Sequence, residues 1–166
     1  MSQGKKAVDT FLSMLSNNDL HIYKQLINML NEYGYLPQHK KKIKGLVIAF
    51  SNPVHNRVIA NMGIREKSTE PFFGLRFPAC IDYSDKFANV IHERILTRSN
   101  YLARCQQCNS CKGEKYSYIY EFPDGSIKAS CGAYILEIPD VSEDDIDEIK
   151  RLFDVQHKYF MEHYAK

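Results

Sequence analysis

Four of the chain's five cysteines crowd into one stretch, as Cys105, Cys108, Cys111 and Cys131. Two residues separate each of the first three, a spacing at which tight turns aim successive thiolates at one ion. Cys131 lies in what reads as the second arm of a hairpin whose first arm begins just after the cysteine loop. Pairing the arms carries the fourth sulfur back toward the other three. Four thiolates would close a tetrahedral zinc site, with Zn–S distances of about 2.3 Å, and such a site contributes folding energy directly. Gly113 and Gly132 would admit close backbone approach, and Arg104, Lys112 and Lys115 would offset the negative charge that zinc leaves on four thiolates. Two alternatives stay open on the same residues. A C-x2-C-x2-C run with a remote fourth cysteine also suits a [4Fe-4S] cluster. Against it, Gln106, Gln107, Asn109 and Ser110 are wettable, and Cys131 is followed by glycine where ferredoxin runs place proline. The other alternative is unliganded thiols, with Cys105 and Cys108 forming a reversible disulfide. No βαβ pattern surrounds that pair, which disfavours a thioredoxin-type role.

The tyrosines next to the cysteine loop admit two uses. Tyr116, Tyr118, Tyr120 and Phe122 alternate with Ser117, Ile119 and Glu121, so the four rings share one strand face. Beside Lys115 and Lys128 that face could stack nucleic-acid bases or a flat ligand, which makes Tyr116, Tyr118, Tyr120 and Lys128 candidate ligand-contacting residues. Against the last helix the same rings are core, the favoured reading, because a lone hairpin is marginal in water. His55 lies in a loop with no carboxylate partner in sight and reads as exposed. His92 reads as rimming the core, and His157 and His163 fall on different faces of one helix. Cys80, in Phe77-Pro78-Ala79-Cys80-Ile81, reads as a small buried hydrophobe outside the cluster. No nucleophile elbow, phosphate loop, H-E-x-x-H or dinucleotide fingerprint occurs, so nothing points to catalysis.

The elements that would hold these groups predict an α+β fold. It has an N-terminal helical pair, a small mostly antiparallel sheet with a C-terminal hairpin, a long C-terminal helix and one metal-stabilised loop. Val8, Phe11, Leu12 and Leu15 set a helix over 5–16, and Ile22, Tyr23, Leu26, Ile27, Leu30 and Tyr33 set another over 20–33. Asp19 is expected to cap the second, which Gly34 ends. Gly45–Ser51, Val58–Arg65 and Pro71–Phe77 read as strands, and Ser84–Thr97 as a third helix. The turn Pro123-Asp124-Gly125 joins residues 115–122 to a second arm running from Ser126 to Ile138. Ser142 and Asp145 form a capping box for a helix from about Glu143 to Tyr164, with Ile146, Ile149, Leu152, Phe153, Gln156 and Phe160 on its core face. One domain spans 1–166, helical over 1–44 and α+β over 45–166, with no repeat or linker dividing it.

Composition excludes several classes. With 44% hydrophobic and 25% charged residues, the chain is that of an ordinary globular protein rather than a disordered one. Its longest apolar run, Gly45 to Phe50, is far short of the about 20 residues a bilayer requires. Asp9 and Ser13 interrupt the apolar start that a secretory signal needs, which gives the expectation of a cytoplasmic protein. In that reducing compartment, clustered cysteines favour metal over disulfides. A net charge of +2 gives no global field for nucleic acid, and the one dense basic run, His39 to Lys44, reads as a solvated connector.

The run Cys105-x2-Cys108-x2-Cys111-Lys112-Gly113, then Tyr118-x-Tyr120-x2-Pro123-Asp124-Gly125, then Cys131-Gly132 resembles an uncharacterised family of bacterial cytoplasmic proteins that pair such a cluster with a C-terminal helix. The resemblance covers residues 101–160 and implies the cysteine site and a bacterial setting, without an activity. The leading expectation is therefore a zinc-stabilised binding or interaction module. Its alternatives are an iron–sulfur redox protein on the same four cysteines and a nucleic-acid-binding protein using Lys40–Lys44 and the tyrosine face. Self-association is left open.

Overall fold

The computed structural model describes residues 2–97 and 117–166. Helix α1 spans Gln3–Ser13, and Ser2 Oγ accepts the Lys5 N–H at its start. Helix α2 spans Asn17–Glu32. Its cap is the Ser16 hydroxyl, which takes the Asp19 N–H at 3.2 Å, rather than the expected Asp19 carboxylate, which accepts the Ser16 O–H instead. Gly34, at φ +79°, ends α2 in the left-handed conformation, and Tyr35 N–H closes back on Leu30 O at 3.0 Å.

The chain then enters a strand at once. β1, Leu36–His39, lies inside the segment expected to be helical and connector. Its Pro37 is tolerated because β1 is an edge strand, where a missing N–H leaves no ladder bond unmade. The basic run Lys40–Lys44 is the hairpin connection to β2, Gly45–Asn52, and is tightened by Ile43 N–H on Lys40 O. β3 (Arg57–Arg65), β4 (Pro71–Leu75) and β7 (Leu136–Ile138) complete an antiparallel sheet in the order β1-β2-β3-β4-β7. Ile48, Phe50, Met62, Ile64, Phe73 and Leu75 from this sheet join the helices in one buried cluster.

Helix α3 spans Asp85–Thr97. β5 (Ser117–Glu121) and β6 (Ile127–Cys131) form the expected hairpin around Pro123-Asp124-Gly125, with Gly125 at φ +82°. The second arm does not run on to Ile138. It breaks after Cys131, and β7 departs to pair with β4. A 3-10 turn, Glu143–Asp145, leads into α4, Ile146–Tyr164, with Ser142 N–H on Asp145 Oδ2 at 2.8 Å as the capping box requires. α4 buries Ile149, Leu152, Phe153, Gln156, Tyr159 and Phe160, while Ile146 is half-buried.

Candidate metal centre and a buried histidine cluster

Cys105, Cys108, Cys111 and Tyr116 lie outside the described residues. Cys131 closes β6 opposite Ser117. Its half-buried Sγ accepts the Ala133 N–H at 3.4 Å, and Tyr134 N–H turns back onto Cys131 O at 3.3 Å, so the backbone wraps the sulfur. The exit of β4 straps this turn twice. Arg76, only 5% exposed, donates Nε–H to Gly132 O at 2.8 Å. Phe77 N–H donates to Tyr118 Oη at 3.2 Å, and Tyr118 O–H donates to Tyr134 O at 2.7 Å. The amide N–H on the sulfur and the guanidinium on the next carbonyl hold this turn in place, with the sulfur at its inner side where it could serve as one ligand. Among the described residues no group of three or more His, Cys, Asp or Glu side chains converges.

Cys80 is a different kind of cysteine. It is buried, its S–H donates to Leu152 O at 3.3 Å, and burial pushes its thiol up to about 12. It packs in the core cluster, as a small hydrophobe does.

The tyrosine face is divided. Tyr118 is 1% exposed and edge-on to Phe77 at 5.2 Å, so its ring is core and its hydroxyl is engaged by backbone on both sides. Tyr120 and Phe122 are half-buried against α3, where His92 stacks on Tyr120 at 4.5 Å and meets Phe122 edge-on at 5.4 Å. The packing partner is thus α3 and the β4 exit, not the last helix. Lys128 lies over the Phe122 ring, its Nζ 5.1 Å from the centroid. Ile119 and Ile127, on the opposite hairpin face, are exposed.

One cluster went unforeseen. His55, expected in an exposed loop, is 3% exposed. Its Nε2 lies 3.2 Å from the hydroxyl of fully buried Tyr35, and that hydroxyl lies 3.1 Å from His157 Nδ1. The Arg57 N–H donates to His55 Nδ1 at 3.1 Å, which assigns the ring proton of neutral His55 to Nε2. His55 Nε2–H therefore donates to Tyr35, and Tyr35 O–H donates to His157. Phe160 packs on His55 at 5.1 Å, and Phe153 and Tyr33 flank His157. Burial pushes His55 down to about 4, with His157, Arg57 and Arg76 adding in the same direction. Burial also lowers His157, against the pull of Asp154, and raises Tyr35 above its ordinary range. Nearby, the fully buried Gln156 accepts the Ala79 N–H at 2.9 Å, while its Nε2 has no acceptor among the described residues. Tyr35, His55 and His157 are far apart in the chain, and no local pattern marks them as partners.

No protein-family model, curated protein or solved structure matches the chain. Among the described residues no helix is long and apolar enough to cross a membrane.

Proposed function

We propose that the chain is a cytoplasmic bacterial binding or interaction module in which a structural zinc ion on Cys105, Cys108, Cys111 and Cys131 clamps the loop ahead of the β5–β6 hairpin. The carrying observation is the turn at Cys131, where the sulfur accepts an amide proton and buried Arg76 holds the adjoining carbonyl. The cysteine spacing supplies the other three ligands, and its likeness to a bacterial family supports the setting. Four thiolates leave no open coordination position for water or substrate, so the metal's part is to organise the loop.

Elemental analysis of the purified full chain tests this. The expected result is a colourless protein with about one zinc per chain, in which Cys131→Ser and Cys108→Ser lower metal content and stability alike. A brown protein absorbing near about 400 nm would replace zinc with an iron–sulfur cluster on the same cysteines. Full metal loading in Cys131→Ser would move the fourth ligand elsewhere.

A further inference from the structure

The Tyr35, His55 and His157 chain takes no part in the metal reading, and its hydrogen bonds run in one direction only. It joins three separate pieces of the molecule: the residue entering β1, the β2–β3 turn and helix α4. The end of α4 is drawn to the same turn, since Arg57 Cζ lies 3.9 Å from the Tyr164 ring centroid and Lys166 N–H reaches Val54 O at 3.3 Å. We propose that this chain is a proton-sensitive latch that holds α4 against the β2–β3 turn while both histidines are neutral and loosens when either takes up a proton.

Proton bookkeeping gives the reason. Tyr35 has one hydrogen to donate, and the neutral state places it on His157 Nδ1 while its oxygen accepts from His55. A proton on His157 Nδ1 removes that acceptor. The Tyr35 oxygen then faces N–H groups from both rings, and its own hydrogen is left without a partner in a buried setting. On His55 the unprotonated nitrogen is Nδ1, already used by the Arg57 N–H, so protonation there sets N–H against N–H. Only the doubly neutral state satisfies every group, as a buried network needs.

The surrounding charges assign different parts to the two rings. Arg57 from β3 and Arg76 from the β4 exit both oppose a positive charge on His55. From α4, Asp154 draws a proton toward half-exposed His157, though that carboxylate is shared with the Tyr33 hydroxyl at 3.0 Å and Lys158 at 2.8 Å. His157 is thus where a proton arrives, and His55 is the lock. Both histidines have folded values below the ordinary 6.5, so the opened state binds more protons as the solution is acidified. The latch contributes fully above about pH 6.5 and fades as pH falls toward about 4, the value for His55.

Hydrogen exchange of α4 amides in the full metal-loaded chain, with histidine side-chain 15N titration, tests the latch. From pH 7.5 to 5.5, after correction for intrinsic exchange, α4 protection in the wild type should fall more than tenfold, about tenfold of it from His55 and the rest from His157. Tyr35→Phe keeps the ring but breaks the chain, so α4 should already be less protected than in the wild type at pH 7.5, and the further fall to pH 5.5 should be smaller. His157→Gln puts a non-titrating acceptor at a half-exposed position, and should leave only the His55 share of the fall, less than in the wild type, even if Tyr35→Phe folds poorly. The latch is refuted if wild-type protection is flat across this range, or if His157→Gln loses protection as steeply as wild type.

Discussion

Replacing Tyr118 by Phe separates the two uses that the tyrosine stripe allows. The change removes one oxygen and leaves the ring, so no cavity opens in a position that is 1% exposed. That oxygen accepts the Phe77 N–H at 3.2 Å and donates to Tyr134 O at 2.7 Å. Each buried backbone group left without a partner costs about 1–3 kcal/mol. Tyr134 itself is half exposed, so its carbonyl has some recourse to water, and the total should be about 2–4 kcal/mol. At about 2–4 °C per kcal/mol for a chain of this size, the thermal midpoint should drop by about 4–16 °C. Urea unfolding followed by circular dichroism reads the change as a lower midpoint with an unchanged slope. If Tyr118 were an exposed stacking platform, the substitution would fall within about ±0.5 kcal/mol, as surface changes do. A measured loss that small would refute the strap between the β4 exit and the Cys131 turn.

Two further outcomes check the packing. Cys80, with its thiol pushed up to about 12, should react with a thiol reagent at pH 8 only slowly in the native protein and promptly after unfolding; rapid stoichiometric labelling would contradict its core position. Gly4→Ala should destabilise by about 1–3 kcal/mol in a urea melt, because an added Cβ would lie 1.9 Å from Pro37 O where α1 rests on β1. Helix propensity alone gives the opposite sign, so a stabilised variant would show that α1 does not pack on β1 this closely.

What could be read from the sequence was local. The Val8, Phe11, Leu12 and Leu15 spacing, the Pro123-Asp124-Gly125 turn and the Ser142/Asp145 capping box each express a rule confined to a few residues, and a helix, a hairpin and a capped helix stand there, with α1 ending at Ser13 short of Leu15 and a 3-10 turn preceding α4 at Ile146. β1 was hidden because Pro37 reads as a breaker, and only its edge position makes a strand there acceptable. His55 was misread for a related reason. Its turn looks solvated in isolation, whereas α4 closes over it from about a hundred residues downstream through Phe160 and His157. For the cysteine cluster, the C-x2-C-x2-C spacing is legible in sequence because ligand geometry is itself local. The bonds that shape Cys131 are not, since Arg76 comes from another sheet.

The misplaced end of the hairpin and the shape of the cysteine turn share one cause. A second arm running straight from Ser126 to Ile138 would carry the Gly132 and Tyr134 carbonyls past Ser117, the first described residue of β5 and the partner of Cys131. Arg76 and Tyr118 instead take those two carbonyls as acceptors, so the backbone can leave the ladder after Cys131 without stranding polar groups. The turn that results brings Tyr134 N–H back onto Cys131 O and aims Ala133 N–H at the sulfur. It also releases Leu136–Ile138 to pair with β4, the strand whose exit supplies both straps. The break is therefore the means by which the five-stranded sheet fixes where the Cys131 sulfur stands, so that this candidate ligand is positioned by the protein core as well as by its own hairpin.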